Sequence, residues 1–289
     1  MSNKKSKVLV TGGAGFIGSH LCERLAKDGH KVISLDNYFT GSVDNHVEGV
    51  EYIEGHTKGI EEHIKNIPDI IYHLGEYSRV EQSFDDIEVI LESNVVGTHS
   101  VIEFARKHSC KLIYAGSSTK FADGGLGREQ SPYAWSKAIN TELVRNYGNW
   151  FDIKYAITYF YNVYGPGERG DSKSGTVIGI FADLYNTEKP LTVRSPGSQR
   201  RNFTHVKDIV EGLVLVGDKG EGDEYGLGHK DSYSILEVAE LFGSKVEMLE
   251  ERPGNRMDSE VDRRRSELEL GWKTKYNLPD YIEEIISNS

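Results

Sequence analysis

The chain has 289 residues, of which 37% are hydrophobic and 27% charged, enough for one large α/β unit with a smaller appendage. Its formal net charge of −11 speaks against a nucleic-acid or membrane-surface role, since both favour basic patches, and no apolar run reaches the roughly 18 residues of a membrane span. The polar start Met1–Lys7 leads to the expectation of no signal peptide, and Cys22 and Cys110, without disulfide or metal-ligand spacing, read as buried thiols of a reducing cytoplasm.

The first predicted strand, residues 7–11, breaks into Gly12-Gly13-Ala14-Gly15-Phe16-Ile17-Gly18, ahead of an amphipathic helix from Ser19 to Lys27. Gly12 allows the tight turn, Gly15 lets the backbone approach a pyrophosphate, and Gly18 lets helix and strand pack closely. The helix start offers amide donors to the phosphates. A second run, 31–35, ends in Asp36, eighteen residues beyond Gly18. A carboxylate there can accept from both adenosine ribose hydroxyls and repels a 2′-phosphate, so NAD is expected rather than NADP. Apolar runs at 50–54, 69–74, 111–115 and 153–159 read as further buried parallel strands, with helices predicted from Phe84 to His108 and from Ser131 to Trp150. The alternation predicts a doubly wound α/β sheet with ligands beyond the carboxyl ends of its strands. After Gly165-Pro166-Gly167 the texture turns to glycine- and charge-rich loops, and 203–218 reads as a helix returning to the large unit. The expected division is 1–160 plus 203–218 against 161–202 plus 219–289.

Tyr133 and Lys137 stand at i and i+4 on one face of the 131–150 helix. An ammonium beside a phenol stabilises phenolate, which can take a proton from a substrate hydroxyl while hydride leaves the same carbon. Ser117-Ser118-Thr119, at the end of the 111–115 strand, can direct hydroxyls at the same oxygen. Tyr185 and Lys189 repeat the spacing, but they sit at a helix end before Pro190 and are set aside.

Together these residues resemble the extended short-chain dehydrogenase/reductase family, and within it the NAD-dependent nucleotide-sugar epimerases and dehydratases. The glycine turn matches, as does Asp36-Asn37. So do Asn94-Val95-Val96-Gly97-Thr98, Asn162-Val163-Tyr164-Gly165-Pro166-Gly167, the segment from Arg201 to Asp208, Arg252-Pro253-Gly254-Asn255 and Leu270-Gly271-Trp272. The resemblance implies a Rossmann NAD-binding part and a smaller C-terminal nucleotide-sugar-binding part. It makes Tyr133 the acid/base, Lys137 the ribose anchor and activator, and Ser117 the hydroxyl bonded to the reacting oxygen. Gly12, Gly15, Phe16, Ile17, Gly18, Asp36, Asn37, Leu74 and Lys137 would line the cofactor. Glu76, Ser118, Asn162, Arg201 and Arg252 would meet the substrate, the arginines gripping its diphosphate. No metal is implied. A homodimer is, with the 84–108 and 131–150 helices paired; Phe104 and Trp150 offer apolar contact there, or else they only face the sheet.

Departures from the pattern bear on the reaction. Family dehydratases usually follow the Ser/Thr with Asp-Glu and sugar-acid decarboxylases have Glu in the second place, whereas this chain has Ser118-Thr119, which cannot protonate a leaving hydroxyl near neutral pH. Simple 4-epimerisation is therefore expected, on a UDP-hexose and through a 4-keto sugar. The usual His-Leu-Ala-Ala reads His73-Leu74-Gly75-Glu76, which leaves Glu76 as either a substrate contact or an unusual acid/base. In the second role the enzyme would be a 4,6-dehydratase or a keto-sugar reductase; a non-enzymatic dinucleotide sensor is the remaining alternative. His56-Thr57 replace the acid that often meets adenine, and Tyr159 stands where Arg is common.

Overall fold

In the computed structural model, residues 5–118, 127–170, 175–250 and 261–289 are described. Strands β1 (Lys7–Thr11), β2 (Lys31–Asp36), β3 (Val50–Glu54), β4 (Ile70–His73), β5 (Lys111–Ser117) and β6 (Tyr155–Phe160) lie in one parallel sheet with a seventh strand, Gly222–Leu227. The order runs from Gly222–Leu227 through β6, β5, β4, β1 and β2 to β3. The chain thus reverses direction across the sheet between β1 and β4, which opens a crevice at their carboxyl ends.

β1 shows why the strands read as unbroken apolar runs. Val8 and Val10 enter a cluster with Leu21, Leu25, Ile209 and Leu213, whereas Leu9 enters another with Ile71, Val101, Phe104 and Val144. The helices Phe16–Lys27 and Val206–Lys219 cover one face, and Thr98–His108 and Pro132–Phe151 the other. Both faces are covered, so apolar residues occur at both residue parities. A third cluster, with Tyr164, Ile178, Phe181, Leu191, Val238, Phe242 and Ile282, is the core of the smaller part.

Three expectations change. Gly222–Leu227 was expected in the smaller part, yet it joins the large sheet beside β6. Its sequence is short, polar and glycine-bounded, and tertiary bonds hold it: the Tyr159 hydroxyl donates to Asp223 Oδ1 at 2.6 Å, and the Tyr225 hydroxyl to Glu269 Oε2 at 2.8 Å. Tyr159 thereby has a role where Arg is common. Leu270 and Trp272 also pack into the large unit. The predicted 84–108 helix is broken: a short turn at Gln82–Phe84, helix from Ile87 to Ile90, a π-helical stretch at Leu91–Gly97, and α-helix only from Thr98. Finally, Phe104 is 0% exposed and belongs to the core, so it cannot pair with Trp150 at a surface. Among the described residues no helix is long and apolar enough to cross a membrane, and no three metal-ligating side chains gather.

Candidate active site

The glycine turn leaves β1 with Gly12 at φ 73°, in the left-handed region, its amide donating to Leu35 O at 2.9 Å. A Cβ on Gly18 would stand 2.0 Å from Gly12 O, so strand and helix touch there as glycine alone allows. At Gly15 an added Cβ would meet only Gly12 O, at 3.2 Å. Gly15 thus faces open space at the start of the helix Phe16–Lys27, which has no side-chain cap and no acidic residue in its first turn. Unpaired amides with no competing carboxylate suit an anion. Phe16, Ile17 and Leu74 are half-buried against the sheet.

Asp36, at the end of β2, is 7% exposed and accepts from the amides of Ala14 at 2.9 Å and Tyr38 at 2.8 Å. Burial pushes its carboxyl above the usual range, against the pull of those two bonds. It lines a cleft with Gly12, Asn37, His56, Thr57 and Ser93. Exposed Asn37 accepts from the Phe39 amide at 3.2 Å, and His56, which burial biases towards its neutral form, accepts from the Lys58 amide at 3.1 Å. An open glycine cradle, an uncapped helix start and a carboxylate beside this cleft fit a dinucleotide.

At the other side of the crevice, Ser131 caps the helix Pro132–Phe151 by accepting from the Ala134 amide at 3.1 Å, and Pro132 supplies its first turn. This sets half-buried Tyr133 and buried Lys137 one turn apart on the helix, with Lys137 reaching β5. Ser117 is 9% exposed at the end of β5, and half-buried Ser118 follows it.

Glu76 is the surprise of this region. Its side chain is 3% exposed and its Oε2 receives the Lys137 ammonium, which is itself 7% exposed and also donates to Ala115 O. Glu76 Oε1 accepts from Thr98 Oγ1 at 2.7 Å, Asn140 Nδ2 at 2.9 Å and the Tyr114 hydroxyl at 3.1 Å. Four donors converge on one carboxyl, which only the ionised, acceptor-only form can satisfy. Burial opposes that charge, but the Lys137 ammonium and the donated bonds hold the carboxyl below its ordinary range. Tyr114 goes the other way: burial, then the Glu76 charge, push its phenol well above the usual value.

The bonds also fix a tautomer. Thr98 donates its hydroxyl proton to Glu76, so it must accept from His73 Nε2 at 2.9 Å. His73 Nδ1 then accepts from Thr11 Oγ1 at 2.7 Å, and Thr11 in turn accepts from the Gly75 amide at 3.0 Å. Burial holds His73 neutral, with its pKa down at about 4. Asn94 completes the frame: it accepts from the Tyr77 amide at 2.7 Å and donates to Tyr77 O and to Ser136 Oγ, both at 3.0 Å.

The carboxyl of Glu76, expected to meet a substrate or to act as an acid/base, is bonded by four of the protein's own donors. It does not have the raised pKa that suits an acid, because Lys137 is its counter-charge. Sequence reading missed Tyr114, Asn140 and Thr98 as its partners. One signal was available: Tyr133, Lys137 and Asn140 follow i, i+4, i+7, a single helix stripe.

In the smaller part, exposed Asn162 sits at φ 37° and donates to Asn202 O at 3.0 Å, next to half-buried Arg201, whose Nη1 donates to Arg200 O at 2.7 Å. The structure thus sets Asn162 against the strand Arg200–Asn202, which carries Arg201. Arg252 and Thr119 lie outside the described residues.

A family model described as the NAD dependent epimerase/dehydratase family matches residues 8–228. Curated relatives include UDP-glucuronic acid decarboxylase 1 of Arabidopsis thaliana, 28% identical over 100% of this chain and 71% of its own length. UDP-glucuronic acid decarboxylase 2 of the same plant is 30% identical over 96% of this chain and 67% of its own. Among solved structures, a Thermus thermophilus UDP-glucose 4-epimerase in complex with NAD is similar at TM-score 0.86 and 27% identity, covering 97% of this chain and 98% of that one. A dTDP-glucose 4,6-dehydratase from Streptomyces venezuelae with NAD bound shares the fold at TM-score 0.88 and 24% identity, covering 97% and 96%. The Rossmann-like sheet, the glycine cradle and these likenesses make NAD the cofactor. The chain belongs to the NAD dependent epimerase/dehydratase family.

Proposed function

We propose that the protein is an NAD-dependent nucleotide-sugar 4-epimerase acting on a UDP-hexose through a transient 4-keto sugar. The observation that carries this reading is the state of Glu76: ionised, buried and bonded to Lys137, it has no proton to give a leaving hydroxyl. Ser117 and Ser118 supply no acid either, which disfavours dehydration. Tyr133 would take the C4 hydroxyl proton, Lys137 would support the phenolate, and Ser117 would hold the same oxygen. Bound NAD supplies the hydride exchange. Tyr133 returns the proton once the 4-keto sugar has presented its other face, so no net redox occurs.

Asn162, Arg201 and Arg252 would hold the diphosphate and Ser118 the sugar, with the smaller part as the nucleotide-sugar-binding domain. A homodimer fits the apolar surface left by Ile87, Leu91, Val96, Trp150 and Phe151, which are 42–61% exposed. Light scattering at micromolar concentration should give twice the chain mass; a monomer excludes this pairing. The curated relatives favour a second reading, decarboxylation of UDP-glucuronic acid. Against it stands Thr119, where sugar-acid decarboxylases usually have Glu.

The purified protein should be offered UDP-, GDP-, CDP- and dTDP-sugars, UDP-glucuronic acid included, with products read by NMR. C4 inversion of a UDP-hexose is the expected result. A 4-keto-6-deoxy product or loss of the C6 carboxyl would overturn the proposal.

A further inference from the structure

We propose that Glu76 is a positioning residue for Lys137: it holds the ammonium against β5 and offsets its charge, which raises the pH at which Tyr133 can act as a base. The inference rests on reading Tyr133 and Lys137 as the acid/base pair.

The geometry carries it. Of the three donors on the Lys137 ammonium, one goes to Glu76 Oε2 and one to Ala115 O, which leaves one direction for a ribose or for the phenol side. The Tyr114 ring, 4.8 Å from Nζ, closes a further side. Thr98, Tyr114 and Asn140 come from three different elements and lock Glu76 Oε1, so the carboxylate cannot swing away and the ammonium cannot leave it. The ionisable groups around the pair are Tyr133 on the same helix as Lys137, Tyr114 on β5 and His73 on β4. His73 is neutral, and the Tyr114 phenol, whose proton Glu76 receives, stays protonated. The local charge is therefore one ammonium and one carboxylate.

A lone buried ammonium favours any anion in reach, and Tyr133, one turn along the same helix, is the phenol that the proposed function assigns to proton transfer. With Glu76 already paired to the ammonium, the Tyr133 phenolate gains less from Lys137 and meets the Glu76 charge as well. Neutralising Glu76 reverses both effects, because the ammonium is then left with the phenolate as its counter-charge. Ionisation of Tyr133 thus moves to lower pH.

The test needs no substrate. In NAD-loaded protein labelled with [ζ-13C]tyrosine, the Tyr133 resonance is identified by its loss in Tyr133→Phe and titrated in wild type and in Glu76→Gln. The midpoint should fall by about one pH unit or more in the variant. Glu76→Ala, which installs the small residue common in the family, provides the same measurement should the buried amide prevent folding. A merely structural Glu76 would lower thermal stability in both variants and leave the midpoint in place; an unmoved midpoint in a folded variant overturns the proposal. The outcome is separate from that of the product screen: a moved midpoint stands even if C4 inversion is not the reaction. If inversion is seen, the acidic limb of kcat/KM should shift with the resonance, and Glu76→Gln should retain turnover above that limb.

Discussion

The two sides of the crevice are built by different means. At the end of β1 the work falls to the backbone: a glycine in the left-handed region, one pressed against a carbonyl, and one facing open space beneath an uncapped helix. Across the switch point, between β4, β5 and the helix Pro132–Phe151, it falls to buried side chains, with Glu76 and Lys137 surrounded by Thr98, Tyr114 and Asn140. A backbone cradle fixes where phosphates lie and is indifferent to pH. A buried ion pair fixes where charge lies, and its strength depends on every partner being present. Under the proposed function, binding and proton transfer can therefore be varied separately.

The largest effect should come from the side-chain end. Tyr133→Phe should lower turnover by about 10²–10⁴ while the protein still co-purifies with NAD, since the ring packs as before and only the proton carrier is lost. More than half of wild-type activity would remove Tyr133 from the chemistry. At the backbone end, Gly18→Ala sets a methyl 2.0 Å from Gly12 O. It should cost about 1–3 kcal/mol, read as a lower Tm, together with weaker NAD binding by calorimetry. Unchanged NAD affinity would break the assignment of the cradle.

Asp36→Ala tests the one side chain on which the backbone end depends. Losing hydrogen bonds to a charged group, at about 1.5–3 kcal/mol each, should weaken NAD binding by at least tenfold and narrow the gap to NADP. Wild type that prefers NADP would refute this reading of β2.

The smallest effect is expected away from both ends, at Glu168 beside the Gly165-Pro166-Gly167 turn. Its carboxyl accepts from the Gly165 amide at 3.2 Å and from the Thr176 hydroxyl, and burial pushes its pKa up to about 7. The folded state thus favours the protonated acid. The stability it contributes is full below the ordinary value of 4.5 and is lost as pH rises toward 7. Glu168→Gln should raise Tm at pH 8 and leave it nearly unchanged at pH 5. An equal change at both pH values would show that Glu168 does not titrate in this range.

The backbone end was legible because its physics is local: turn, helix start and closing acid follow one another within Gly12–Asp36, and glycine spacing states the geometry. Tyr133 and Lys137 were legible for the same reason, being one turn apart on a helix. Glu76 was visible as a departure but not as a partner, since its bonds reach Thr98, Tyr114, Lys137 and Asn140, which are 22 to 64 positions away. The strand Gly222–Leu227 escaped notice because β6, Asp223 and Tyr225 hold it rather than apolar alternation. Phe104 illustrates the converse: periodicity shows that a helix has an apolar face, and only packing shows which of two neighbours that face meets.

The π-helical stretch Leu91–Gly97 has a consequence for how this sequence can change by insertion and deletion. A π-turn is an α-helix carrying one surplus residue, and here that surplus separates Asn94, which grips the Tyr77 loop, from Thr98, which feeds Glu76. Removing one of residues 95–97 sets Asn94 and Thr98 three residues apart on an ordinary helix instead of four on a π-turn, which turns one grip against the other. A substitution can cost one of these grips; a single-codon deletion costs one of the two whichever way the helix settles. Natural length variation in this chain should therefore collect in the surface loops and be missing from this helix.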